Sequence, residues 1–211
     1  DDPNEPHRTA LAVKQMGLKH CVITSVNRDE LPDCGSAIWA ETVREVHRVN
    51  PQCTVEVLIP DMRNEDEQLQ TVFEARPEIL GHNMETIPRL YSTVRPQAKY
   101  EWSLDVLKKS KLFGLRAKTA FMLGLGEKAE EVFALMEDIF QTGCDILAIG
   151  QYLQPTKKHH PVERYVHPDE FDVYKKTGLE MGFGWVEAGP LVRSSYHADE
   201  QATLTATPIR V

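Results

Sequence analysis

The residue types able to do chemistry gather in short polar stretches that follow apolar runs. In HNMET, His82, Asn83 and Glu85 place an imidazole, an amide and a carboxylate at the end of one run. Asn83 and Glu85 stand two apart and project to one side if the strand continues, where they could grip an amino-acid head group. Capping of the following IPRLY by Glu85 or Thr86 is the competing reading. GLGE at 124–127 lies between an apolar run and a helical pattern, so its backbone amides could receive an anionic or polar group. Glycines are also the ordinary way to turn from strand to helix. The stretch lacks both GxGxxG and a GK[ST] ending, which excludes a dinucleotide or P-loop reading. Lys118 sits inside an apolar run, where a buried amine could form a Schiff base or the chain could reach out to a rim. RSSYHAD at 193–199 joins a guanidinium, hydroxyls and an imidazole, as a functional loop or a set of caps. His159 and His160 point opposite ways on an extended chain and read as a solvated loop.

The elements that must position these groups are legible from periodicity. Strand-length apolar runs at 20–26, 54–59, 78–83, 117–123 and 145–151, with a further one at 184–188, alternate with amphipathic stretches of helix length. That alternation predicts βα units around a parallel sheet. The clearest helix is 128–141, where Val132, Leu135, Met136, Ile139 and Phe140 form one stripe. Others are expected at 6–15, 36–49, 101–113 and 168–181, the last with Pro168, Asp169 and Glu170 suited to a helix start. Continuous apolar strands fit a sheet covered on both faces or closed into a barrel. Chemistry in such folds collects at the carboxyl ends of the strands. The rim residues are therefore Thr24, Ser25, Asn27 and Arg28; Asp61 and Arg63; His82, Asn83 and Glu85; the 124–127 turn; and Gln151 with Gln154.

Composition bounds the rest. With 211 residues, 41% hydrophobic and 27% charged, the chain has the make-up of one globular domain, and its formal charge of −8 offers no basic field for nucleic acid or anionic membranes. No run approaches the ~20 apolar residues of a bilayer span, and DDPNEPHRTA lacks the features of a secretory signal. The expected compartment is the bacterial cytoplasm, or an organelle matrix. The chain starts at Asp1 rather than Met, and the expectation is a piece of a longer product. Cys21, Cys34, Cys53 and Cys144 show no CxxC or CxxxC spacing and are expected as buried, reduced thiols. The domain is expected over 1–202, with a loosely attached tail over 203–211.

Read in order, VITSVNRDELPD, EVLIPD, HNMETIPRLY, VRPQAKYEWSLDVLKKSK, MLGLGE, DILAIGQYLQP, HHPVERYV and GPLVRSSYHAD are similar to consecutive signature segments of lipoyl synthases, from about Pro6 to Asp199. The resemblance implies an α/β fold, a partial, open βα TIM-type barrel of the radical-SAM kind, here with the first strand and the cluster loop missing. It implies two [4Fe–4S] clusters and S-adenosylmethionine (SAM) as cofactors. One cluster reduces SAM to a 5′-deoxyadenosyl radical, which removes hydrogens from C6 and C8 of an octanoyl chain on a lysine of a lipoyl carrier domain or H protein. The second cluster is consumed as the sulfur source, and flavodoxin or ferredoxin donates electrons. A cofactor radical is needed because an unactivated C–H bond resists acid–base chemistry.

Carried over by position, Ser195 resembles the serine that ligates an iron of the auxiliary cluster, with Ser194 the second choice and Arg193 beside it. Thr24, Ser25, Asn83, Glu85, Lys118 and Gln151 resemble residues lining the SAM and substrate cavity. The cysteine ligands of the family are absent, so this chain by itself is expected to hold no complete cluster and to be inactive. Cys34 stands where a glycine is usual. Thr119 replaces a serine and keeps the hydroxyl, and Lys128 and His167 replace capping threonines, which should weaken two helix starts by ~1 kcal/mol each. A cluster-free homologue that binds SAM or a lipoyl carrier domain without turnover is the alternative, and a Schiff-base aldolase would rest on Lys118 alone.

Overall fold

The structure, a computed structural model, describes residues 2–203. The expected tail over 203–211 therefore lies, past Thr203, outside the described residues. The apolar runs become six parallel strands in the order of the sequence: β1 (His20–Thr24), β2 (Thr54–Leu58), β3 (Ile79–Gly81), β4 (Arg116–Leu123), β5 (Ile146–Gln151) and β6 (Trp185–Gly189). Each parallel neighbour requires a crossover, and helices supply them. These are α2 (Ser36–Val49), α3 (Asp66–Glu74), α4 (Tyr91–Val94), α5 (Tyr100–Leu112), α6 (Ala129–Gln141) and α7 (Pro168–Met181), with α1 (Glu5–Met16) before the sheet and α8 (Ala198–Gln201) after it. The short α3, α4 and α8 escaped the sequence pattern. The nine residues of α3 present only Leu69, Val72 and Phe73 to the core, too brief a stripe to stand out.

Alternation within the strands separates two faces. Val55 and Val57 pack with Trp39, Val43 and Phe73 in one core cluster; Ala117, Phe121, Leu123, Leu147 and Ile149 pack with Leu135, Met136 and Phe171 in the other. Their neighbours Glu56, Lys118, Ala120, Ala148 and Gly150 face away from the helices, in register across the sheet. All four cysteines are buried and unpaired, as expected. Cys34 has φ 52°, the left-handed region, directly before Gly35 at φ 79°. The position therefore needs the backbone that a glycine adopts freely.

The two altered helix starts differ in how they are capped. Glu131 of α6 accepts the Lys128 amide at 2.8 Å, and His167 Nδ1 accepts the Asp169 amide at 3.4 Å. His167 thus keeps a side-chain cap on α7, whereas the Lys128 side chain caps nothing and α6 retains only the Glu131 half of a capping box.

Candidate functional site

The corner after β3 is built on buried polar contacts. His82 is fully buried, its Nδ1 at 2.9 Å from the Ile59 carbonyl and its Nε2 at 2.9 Å from Ser103 Oγ. Loss of hydration, with the Arg95 charge nearby, pushes its pKa down to about 4, so the imidazole is neutral and structural. Arg95 donates to the Asn83 carbonyl at 3.0 Å, to Tyr91 Oη at 3.1 Å and to Ser103 at 3.3 Å. That pinned backbone presents Asn83 and Glu85. The strand stops at Gly81, and Glu85 takes φ 63°, bridging to Phe121 of β4. A turn, and not a continued strand, brings the two side chains together, with Asn83 Nδ2 donating to Glu85 Oε1 at 3.1 Å. Burial raises the Glu85 pKa against the pull of Arg95 and Asn83. Thr119 receives the Met84 amide at 3.2 Å, which gives its hydroxyl a structural use.

The segment after β6 meets this corner from the other side. Arg193 and Ser194 line a small cleft of about 100 Å³ together with Asn83, Glu85, Met122 and Gly150. Gly150 makes this possible: a Cβ there would lie 2.3 Å from the Val192 carbonyl oxygen, so only glycine lets the loop lie on β5. Arg193 donates to the Val192 carbonyl at 2.7 Å. Ser195 is exposed, and its hydroxyl has no hydrogen-bond partner among the described residues.

Thr24 and Ser25 lie elsewhere. They line a groove of about 630 Å³ along the free edge of β1, with α1 and α2 contributing Val13, Ile38 and Trp39. A third hollow of about 330 Å³ joins Asn27, Asp61 and Arg95 at the ends of β1 and β2.

Two expected site residues and one motif are occupied internally. Lys118 does not reach a rim: it is 1% exposed and its Nζ lies 2.8 Å from Glu56 Oε1, with burial pushing its pKa down. The amine a Schiff base would need is held in that ion pair. Gln151 points to the helix-facing side and lines none of the three hollows above: its Nε2 donates to the Tyr152 and Arg164 carbonyls, and its Oε1 accepts the Val166 amide at 2.9 Å. In the GLGE turn, Glu127 accepts the Gly124 and Leu125 amides at 2.7 and 2.9 Å, leaving those two amides nothing to offer a ligand. Sequence reasoning missed Arg95, Ser103, Glu56 and Gly150. Glu56, an acid between valines in TVEVL, was the one signal available.

An iron–sulfur cluster needs thiolates, and the thiols here do not fit one. All four are buried, Cys21 and Cys144 with pKa values pushed up to about 12, and no group of three or more His, Cys, Asp or Glu among the described residues could hold a metal.

The parallel sheet and rim have close counterparts. Residues 1–139 match the description "Radical SAM superfamily". Methylornithine synthase PylB superposes with a TM-score of 0.66 at 16% identity, covering 88% of this chain and 61% of that one. Streptococcus suis SuiB bound to precursor peptide SuiA gives 0.68 at 11%, covering 95% and 45%. These structures share the fold, an open sheet of six parallel strands, and the match over residues 1–139 places the chain in the radical SAM superfamily. Within it, the lipoyl synthase of Rubrobacter xylanophilus is 57% identical over 202 residues, 95% of this chain, and the chain spans 63% of that protein. Those of Bacteroides fragilis and Nematostella vectensis, the latter mitochondrial, are 53% and 52% identical, with 69% of each protein spanned. The chain belongs to the lipoyl synthase family.

Proposed function

We propose that the protein works as a lipoyl synthase, inserting two sulfur atoms at C6 and C8 of an octanoyl chain carried on a lysine of a lipoyl carrier domain or H protein. Its cofactors are SAM and two [4Fe–4S] clusters, and its electrons come from flavodoxin or ferredoxin. The observation that carries this reading is the meeting of Arg193 and Ser194 with Asn83 and Glu85 in one cleft at the strand ends.

In this reading the Glu85 carboxylate and the Asn83 amide bind the amino-acid portion of SAM, on a backbone that Arg95 holds still. Ser195 would supply an oxygen ligand to the auxiliary cluster, with the Arg193 guanidinium two residues before it as a cation for that anionic group. Thr24 and Ser25 add hydroxyls at the mouth of the β1 groove. When bound, SAM and its cluster supply the radical reactivity that an unactivated C–H bond demands. The four buried thiols of this chain hold neither cluster, so reconstitution of these 211 residues alone with iron and sulfide gives no visible cluster absorbance and no turnover.

The test uses the gene's full product, reconstituted anaerobically with iron and sulfide and supplied with SAM, dithionite and an octanoyl-lysyl peptide. Mass spectrometry should find a peptide carrying two additional sulfur atoms. Calorimetric SAM binding with no sulfur gained and no SAM cleaved would instead favour the cluster-free binding protein.

A further inference from the structure

His159 and His160 sit on a loop that is solvated but firmly held. Sixteen residues, 152–167, separate β5 from α7, the longest connection among the described residues, and none of them is helix or strand. A connection of that length without regular structure is uncommon in a compact domain and usually functional. It is stitched at its base and at its tip. Gln151 holds the Arg164 carbonyl and the Val166 amide, and the Glu163 amide donates to the Gly124 carbonyl at 2.9 Å. Tyr152 Oη donates to the His160 carbonyl and Gln154 Nε2 to the His159 carbonyl, both at 2.8 Å. His159 Nδ1 lies 2.9 Å from the Thr156 hydroxyl. These bonds fold the tip back on Tyr152, directly after β5. Lys157 and Lys158 are left outside, exposed, with no partner for either ammonium among the described residues.

Charge and apolar exposure set this surface apart. The chain carries a formal charge of −8, yet the loop holds Lys157, Lys158 and Arg164 against a single acid, Glu163. Arg164 is paired with Glu170 at 2.6 Å, so the two lysines are the open cations. In the same loop Leu153 is 50% exposed and Tyr165 74%. Apolar groups held in water beside unpaired cations suit an interface, the first for burial and the second for steering. The loop lines none of the three hollows described above, and an outward surface suits a protein better than a small molecule.

The chemistry of the substrate indicates which protein. Roughly eleven bonds separate C6 of an octanoyl chain from the Cα of the lysine that bears it, a reach of about 14 Å at full stretch. Gly150 lines the cleft that holds Arg193 and Glu85. Leu153 follows it so closely in the chain that the two Cα atoms lie within about 11 Å. A carrier that feeds its acyl arm into that cleft must rest its body on the loops at the strand ends, this one among them.

We propose that the 152–167 loop is a docking surface for the lipoyl carrier. Lys157 and Lys158 draw in an acidic face around the octanoyl-lysine, and Leu153 and Tyr165 pack against it. This rests on the reading of the protein as an enzyme that acts on a carrier-borne octanoyl chain.

The test uses the gene's full product, reconstituted as above, with an octanoylated H protein and a short octanoyl-lysyl peptide as alternative substrates. Lys157→Glu combined with Lys158→Glu should raise the KM for the H protein by roughly tenfold and flatten its dependence on salt, with kcat and the peptide's KM unchanged. Tyr165→Ala should raise the KM for the H protein by a smaller factor. These side chains are exposed, so the variants should melt close to the parent. Interferometric binding of the octanoylated H protein, without SAM or reductant, reads the same loss independently of turnover. Unchanged KM and affinity for the H protein in the charge-reversed variant overturn the docking surface. An equal rise in KM for the peptide overturns it too, since the loop would then act inside the cleft. Altered self-association with H-protein affinity intact assigns the surface to a second copy of the chain and also overturns it. If the parent transfers no sulfur to either substrate, the functional reading fails, while salt-sensitive H-protein binding that the charge reversal abolishes still supports the docking surface. A parent that binds no H protein overturns the docking surface whatever its activity on the peptide.

Discussion

From β3 to β5 most buried polar groups have a partner within the chain, whereas at the end of β1 and on the loop after β6 the Thr24 and Ser195 hydroxyls are exposed and without a hydrogen-bond partner among the described residues. Glu127 saturates its own turn, Gln151 its own loop, Glu56 neutralises Lys118, and His82 is held at both nitrogens. By contrast, Thr24 and Ser25 line an open groove, and Ser195 has no partner among the described residues. The difference teaches how to sort polar side chains in such a barrel. Burial forces internal satisfaction, since an unpaired buried group is costly, and what remains exposed and unsatisfied at the strand ends is what can meet a ligand.

The strongest way to break the comparison is to unbalance the sealed side. Lys118→Met leaves the Glu56 carboxylate buried without its cation, at 2% exposure, and should cost about 3–5 kcal/mol in denaturant unfolding. Replacing both partners by apolar residues should recover most of that. A loss under about 1 kcal/mol for the single change would mean that water reaches Glu56 and the side is not sealed.

His82 comes next. Its pKa is lowered to about 4 in the fold against an ordinary value of 6.5, so the unfolded chain binds the extra proton first as pH falls. The native state is therefore favoured above pH 6.5, loses stability between 6.5 and 4, and loses no more from this group below 4. The loss through that window is about 3 kcal/mol, and His82→Gln should remove it from a pH series of chemical melts. An unchanged pH slope in the variant would assign the acid sensitivity to other groups.

A smaller effect is expected from Glu127→Ala, which strands the Gly124 and Leu125 amides and should cost about 1–3 kcal/mol. Added phosphate should stabilise this variant more than the parent, because the vacated turn then becomes the anion site its sequence suggests. Smallest of all, Thr24→Val and Ser25→Ala on the open edge should shift thermal stability by no more than about 0.5 kcal/mol. If either costs as much as Glu127→Ala, the β1 edge is part of the structural core and the contrast between the two sides fails.

The sequence carried the strands and long helices because each buries one face at a fixed period, and that period is written locally. Even the weakest run, at 184–188, became β6 (Trp185–Gly189). The site was only partly legible. Asn83, Glu85 and Arg193 stand out as polar groups after apolar runs, and the structure brings them together with Ser194. Lys118 and Gln151 carried the same signal and are held by partners within the chain, because the sign of the argument depends on which face a side chain takes and what waits opposite it. Glu56 lies far from Lys118 in sequence and meets it only because β2, β3 and β4 pair in parallel register.

By itself, the sequence determined the order of the six strands and the long helices, the burial of the thiols and the chain's place among lipoyl synthases, since all of these rest on local periodicity or on residue identity in order. Only the tertiary structure decided which polar groups are spent and which are open: that Gly150 admits the Arg193 loop, that Arg116 holds the segment beyond Ser195, and that Glu127 fills its own turn. Whether a donor or acceptor is satisfied depends on partners distant in the chain, and only folding brings those partners within hydrogen-bond distance.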